Sequence, residues 1–358
     1  MIDSIKIILE DFSGDLKDCT YKSPRKLIEN PDEKEYDNYR LPNRTKFDNH
    51  YLTIHHALKT NTVNVVGSLR KRAYHKSSFR DLNKAKFEQT IRELAKALHI
   101  TFDEIKKARF TNCEIGANIN VRHSVKEVLY MIVAYSTLER KDGRIDEGTL
   151  YFKGTDKDLK LYAKDLEIAA KSHWKKQDRR SAAYGRMREC GNNMLRIEFT
   201  LKNQRAFDHH HQMKHIKNVG DLIEHYHDLY DFWTREVARL IFFNQLDYSN
   251  TKLTEKERSI ISGLEQYDFE WFVEEYKSHC ALNVKQEPDS IKNARSKAYK
   301  SICKVLDKFY DRKAYNMYNL RVDIAKHLIR KSNSENLDLP LLLRNLWGVP
   351  SRNNKIKK

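Results

Sequence analysis

The stretch MLRIEFTLK at 194–202 alternates apolar and polar side chains without a break. A period of two belongs to a β-strand, so Leu195, Ile197, Phe199 and Leu201 share one face and Met194, Arg196, Glu198 and Thr200 the other. DLKLYAK at 158–164 repeats the pattern, with Leu159 and Leu161 opposite Lys160, Tyr162 and Lys164. TNCEIGANINV at 111–121 repeats it again. There Cys113, Ile115, Ala117, Ile119 and Val121 are apolar, while Glu114, Gly116, Asn118 and Asn120 face the other way. Strands of this kind require a sheet with one buried face. Their second face gathers a phenol, two carboxylates and several cations.

Four further strands are predicted at 4–10, 51–57, 62–69 and 147–153, the last joined to 158–164 by the turn KGTDK. Helices are predicted over 83–100, where Phe87, Ile91, Leu94 and Leu98 fall at helical spacing, and over 124–136, where Ser124 and Glu127 form a capping box. The segments around 11–46 and 172–193 are polar and loop-like. From about 206 strand signals give way to helical periodicity over 219–245, 254–279, 289–311 and 316–331, with Thr254 and Glu257 as another capping box. The expected fold class is therefore α+β: an N-terminal, mainly antiparallel sheet with packed helices over 1–205, followed by an all-helical region over 206–358 with a basic tail.

Composition narrows the partner. Sixty-seven Lys and Arg against fifty Asp and Glu leave a formal charge of +17, which favours a polyanion, nucleic acid ahead of membrane. No apolar run has the length of a membrane span, and MIDSIKIILEDF lacks the basic leader of a signal peptide, so an intracellular protein is expected. The five cysteines are scattered and form no CxxC pair, which argues against a disulfide framework and a zinc cluster.

Two readings fit the polar strand face. One is an ordinary solvated surface. The other is a phosphodiester-cleaving site, in which Glu114 and Glu198 offer the oxygen ligands that Mg²⁺ or Mn²⁺ prefer. Tyr162 would lie beside that ion as a nucleophile. A phenol of pKa about 10 is mostly un-ionised at neutral pH, so it needs a base, a cation or a metal nearby. Lys160, Lys164 and Arg196 would supply the cationic field. Periodicity alone favours the solvated surface, because alternating strands with a Glu on the wet face are common.

The order of motifs adds a resemblance. GSLRK (67–71), a helix, CEIGANI (113–119), LKLYAKDLE (159–167) and LRIEFTLK (195–202), together with the opening MIDSIKI, resemble the gene II/X family of phage and plasmid replication initiators over roughly residues 1–230. The resemblance implies rolling-circle replication: one strand is nicked at an origin, a 3′-OH is freed for polymerase, and the displaced strand is later rejoined. Such an enzyme is a metal-dependent, site-specific DNA endonuclease and strand transferase. On this resemblance the tyrosine of a Y-x-K motif falls on Tyr162 with Lys164 as its companion. The metal-binding carboxylates fall on Glu114 and Glu198, with Mg²⁺ or Mn²⁺ as cofactor. Double- and single-stranded origin DNA and the host helicase and polymerase are the implied partners, in the cytoplasm of a bacterial host.

Strand phase adds Lys160 and Arg196 as electrostatic helpers. Arg70, Lys71 and Arg72 are expected to touch phosphate, as are Lys175, Lys176, Arg179, Arg180 and Arg186, with Trp174 and Tyr184 stacking on melted bases. No His–hydrophobic–His metal motif is evident. His209, His210 and His211 follow the Glu198 strand closely enough for one of them to reach the metal, but the favoured reading is a polar helix start, and the third ligand stays open. The competing reading is a non-catalytic basic DNA-binding protein. A remnant that keeps the fold but has lost its origin or partner is a third.

Overall fold

The computed structural model describes the chain except residues 26–35, 43–50, 75–79, 136–137, 142–147, 172–192, 244–245, 249–251, 267–268, 285, 311–319 and 349–358. In chain order the strands are β1 (Ser4–Leu9), β2 (Thr20–Arg25), β3 (Tyr36–Pro42), β4 (Tyr51–Ala57), β5 (Thr62–Ser68), β6 (Arg109–Thr111) and β7 (Cys113–Asn120). They continue with β8 (Ile132–Tyr135), β9 (Glu139–Lys141), β10 (Thr149–Lys153), β11 (Lys157–Ala163), β12 (Met194–Leu201) and β13 (Leu240–Phe242). The helices of the first half are α1 (Leu69–Tyr74), α2 (Lys84–Ala97), α3 (Phe102–Lys107), α4 (Val125–Met131) and α5 (Lys164–Lys171). Those of the second are α6 (Gln204–Asp208), α7 (Val219–Glu224), α8 (Asp228–Val237), α9 (Glu255–Gln266), α10 (Phe269–Leu282), α11 (Pro288–Phe309), α12 (Leu320–Glu335) and α13 (Leu339–Gly348).

An antiparallel sheet region with packed helices is thus followed by a helical region, as the hydrophobic periods predict. One sheet has the order β2-β3-β4-β5-β1-β6 and another β7-β12-β11-β10-β9; every pairing in them is antiparallel. The residues before β1 link the two. Ile2 bridges Ile115 of β7, and the Asp3 amide donates to the Glu114 carbonyl at 2.9 Å.

All seven predicted strands form. Two further short strands lie inside segments that read as helix. β8 occupies the end of the helix expected over 124–136, and the helix expected over 219–245 divides into α7, α8 and β13, which pairs with β8. Strand structure therefore does not end at 206. Ile132, Val133, Ala134 and Tyr135 are all buried, as are Leu240, Ile241 and Phe242. A strand buried on both sides loses its alternation and reads like a piece of apolar helix. β2 and β3 escape sequence reading for the opposite reason: their polar side chains carry no apolar period, and backbone pairing alone defines them.

The apolar face of β12 is the floor of the larger core. Leu195, Ile197, Phe199 and Leu201 have no solvent exposure, and neither do Leu159, Leu161, Ile115 and Ile119 on the adjoining strands. Helix α8 covers them: the Trp233 indole N–H donates to the Ile197 carbonyl at 3.2 Å, and the Phe232 ring meets Phe199 edge-on at 5.6 Å. A second core joins Ile260 and Leu264 of α9, Phe272 of α10 and Ile302 and Leu306 of α11 to Val133 and Ile241 on the small β8–β13 sheet. Both predicted capping boxes, at Ser124 with Glu127 and at Thr254 with Glu257, are present.

Candidate active site

Strand register decides which polar side chains meet. Tyr162 of β11 lies opposite Arg196 of β12, which lies opposite Asn118 of β7. One step along, Lys160 lies opposite Glu198, which lies opposite Gly116; one step further, Thr200 lies opposite Glu114. Paired residues share a face. Tyr162, Lys160, Glu198 and Glu114 therefore stand on one side of the sheet, away from the apolar floor.

A third carboxylate joins them from the chain start. Carboxylate oxygens of Asp3, Glu114 and Glu198 lie within 4.8 Å of one another and could hold a metal ion. The Asp3 amide bond to Glu114 fixes this meeting, because it docks the segment before β1 on the free edge of β7. Asp3 is a candidate for the third ligand that sequence reasoning leaves open. Its signal is its phase: it falls in step with buried Ile5, Ile7 and Leu9, where a carboxylate requires a special partner.

Those partners are arginines. Arg196 has no exposed surface and reaches Glu198 at 2.7 Å, Asp3 at 3.0 Å and Asp81 at 3.4 Å, with Asn118 at 3.1 Å. Gly116 makes room for it: a Cβ there would stand 3.2 Å from the guanidinium and 2.8 Å from the Ile197 carbonyl. Arg70, also buried, reaches Asp3 at 2.9 Å, and the Ser68 hydroxyl donates to the same carboxylate at 2.5 Å. Burial alone would raise the pKa of Asp3, but the charges of Arg70 and Arg196 hold it well below the usual carboxylate range. Glu114 goes the other way. Burial, then the charges of Glu198 and Asp3, push it up to about 8. Asp3, Asp81, Glu114 and Glu198 make four carboxylates against the guanidiniums of Arg70 and Arg196. The all-oxygen donor set of Asp3, Glu114 and Glu198 suits a divalent cation.

The phenol is enclosed by the same groups. Tyr162 is only 5% exposed, and burial together with the Glu198 charge raises its pKa. Lys160 Nζ stands 4.3 Å from its ring centroid and Lys164 Nζ 5.5 Å. Lys164 opens α5, is itself buried and pairs with Glu167; burial and the nearby Arg70 charge lower its pKa to about 8.

Other sequence expectations divide. Arg196 and Arg70, expected to face DNA, instead sit inside the carboxylate network. Arg72 is also buried, with a long contact of 3.4 Å to the Pro42 carbonyl. The alternation that identifies β12 cannot reveal this, because the second face of the strand is covered too. Lys71 is half-buried on α1. Lys175, Lys176, Arg179, Arg180 and Arg186, with Trp174 and Tyr184, lie outside the described residues. Neither His209 nor His210 joins the group of Asp3, Glu114 and Glu198. His210 is tucked 4.7 Å from the Phe232 ring and 3.8 Å from Glu236, His209 is 3.8 Å from Asp156, and His55 of β4 meets Asn38.

Residues 61–221 match the family of the N-terminal region of the gene II replication-associated protein. Over this segment the chain is similar to the filamentous-phage gene II replication initiators. The match takes in Glu114, Tyr162, Lys164 and Glu198 but neither Asp3 nor any helix beyond α7. No curated protein and no solved structure matches the chain. No helix among the described residues is long and apolar enough to cross a membrane.

Proposed function

We propose that this initiator nicks one strand of its origin by attack of Tyr162 on the scissile phosphate, and later rejoins the displaced strand through the same bond. The observation that carries the reading is the shared sheet face: Tyr162 one register step from the row of Glu198, and three carboxylate oxygens within 4.8 Å. The phenolic oxygen forms a bond to phosphorus as the bond from phosphorus to the 3′-oxygen breaks. The 3′-oxygen leaves with the electron pair and takes a proton, giving a 3′-OH and a 5′-phosphotyrosyl link. Retention of the phosphodiester energy in that link allows ligation without ATP.

Asp3, Glu114 and Glu198 would hold Mg²⁺ or Mn²⁺, which supplies charge neutralisation at the phosphoryl oxygens. Tyr162 must lose a proton against a raised pKa, so it needs a base. Lys164, with a pKa of about 8, is partly neutral near physiological pH and is the group assigned to take that proton. Lys160, against the Tyr162 ring, faces the phosphate. Lys71 and the cations of 172–192 would bind the DNA backbone. Arg196 and Arg70 orient the site from within. Host helicase and polymerase in a bacterial cytoplasm would complete the replication machinery.

The test is nicking of supercoiled DNA carrying the cognate origin with Mg²⁺ or Mn²⁺. Protein should remain attached to the 5′ end. Tyr162→Phe should abolish the adduct and keep salt-sensitive DNA binding; an undiminished adduct removes Tyr162 from the role.

A further inference from the structure

A cleft of about 520 Å³ opens beside the carboxylate cluster, between the end of β7 and helix α12. Its floor is Asn118, Asn120 and Met194, and Met194 lies opposite Asn120 in the ladder. These residues are in phase with Arg196 and Tyr162, so the cleft is on the same sheet face as the site. Asn118 is two strands across from Tyr162, a separation of about 10 Å at ordinary strand spacing. The walls carry Arg80 on one side and Arg330 and Lys331 of α12 on the other, against the single carboxylate of Asp81. That carboxylate is already engaged by Arg196 and by the Asn118 backbone amide. The wall also holds His327, which is 7% exposed; its Nε2 has no hydrogen-bond partner among the described residues and stands 4.0 Å from Asp81. A buried polar atom that lines the cleft is available to a ligand that enters it.

We infer that this cleft is a subsite for the unpaired nucleotide next to the scissile phosphate, with Arg330 and Arg80 on the DNA backbone and Asn120 on the base edge. The inference rests on the nicking reading for its orientation. The chemistry of the walls matches the ligand: guanidiniums take phosphate oxygens in paired hydrogen bonds. A carboxamide at the exposed end of a strand can read the donor–acceptor pattern of a base. The cleft is too small for a duplex, whose major groove alone is about 12 Å wide, so the strand must be melted where it enters. Tyr74, whose hydroxyl is fixed by the Asp81 carbonyl at 3.1 Å, lines the same cleft and offers a ring for stacking. Helix α12 lies wholly outside the matched segment 61–221. The helical region would thus complete a site whose reacting groups lie in the sheet.

The experiment uses the full chain, a short fluorescent single-stranded oligonucleotide of mixed sequence, and supercoiled origin DNA. Arg330→Ala should weaken oligonucleotide binding about tenfold and lower the salt slope by about one, whatever the sequence. Arg330→Lys should restore part of the affinity. Asn120→Ala should leave average affinity unchanged and flatten the base preference at one position in a randomised-sequence selection. Binding by Arg330→Ala equal to wild type, or a wild-type chain that ignores the oligonucleotide, overturns the inference. Weaker binding by Arg330→Ala with no adduct from any protein keeps the subsite and rejects the nicking reading instead.

Discussion

On one side of β12, Leu195, Ile197, Phe199 and Leu201 are out of solvent because they meet the helices that cover them. On the other, Arg196 and Glu198 are nearly as enclosed because each meets charges of opposite sign. The apolar side is held by many weak, non-directional contacts, so loss of one methylene costs little and leaves the rest in place. The charged side behaves differently. Every partner there has been taken out of water, and removing one leaves others uncompensated. The first side can drift in sequence while keeping its volume. The second is a set of interdependent groups, and it is the side that carries the candidate chemistry.

The contrast is broken most directly by Arg196→Met. Removing that guanidinium strands Asp3, Asp81 and Glu198 and should cost about 3–5 kcal/mol in urea unfolding. Ile197→Val, one residue along on the other face, should cost about 0.5–1.5 kcal/mol and leave nicking unchanged. Equal costs for the two would mean that the charged network is no more demanding than the core.

A smaller effect sharpens the role of the carboxylates. Mg²⁺ or Mn²⁺ at a hundredfold excess over its Kd should stabilise the wild type by roughly 2.7 kcal/mol in a thermal scan. Glu198→Gln should lose most of that gain, whereas Ile197→Val should keep it. A gain that survives Glu198→Gln would move the ion elsewhere, for example to the partly exposed group of His215, His225 and Asp228.

Smaller again is a pH effect at His210. Burial lowers its pKa from 6.5 to about 4, with Lys157 and Arg239 reinforcing the shift and the Glu236 charge opposing it. The unfolded chain therefore binds the proton first as pH falls. This contribution is complete above pH 6.5 and lost between 6.5 and about 4. His210→Gln should flatten the fall of stability across that window while leaving metal-induced stabilisation intact. Loss of the metal effect in that variant would bring His210 into the site after all.

Much of this contrast is legible in the sequence, for physical reasons that differ by residue. Alternation identifies β7, β11 and β12 and assigns Glu114, Tyr162 and Glu198 to one phase, because the pleat fixes side-chain direction. Alternation cannot tell whether that phase is wet, so Arg196 reads as a surface cation when it is buried, and the basic run that holds Arg70 gives no sign of its burial either. Asp3 stands in an apolar phase, which is a signal in itself; its meeting with Glu114 depends on pairing between segments more than a hundred residues apart, which no local pattern encodes. Asp81 and the α12 cations lie in segments with no chemical motif. Only packing brings them beside Asn118.

The most direct test of the central claim is chemical. Protein trapped on the 5′ end of nicked origin DNA can be digested with protease and the nucleotide-bearing peptide sequenced by mass spectrometry. The account predicts that the modified residue is Tyr162, within LKLYAKDLE. A nucleotide on any other tyrosine, or a nick that leaves a free 5′-phosphate and no attached protein, would contradict it.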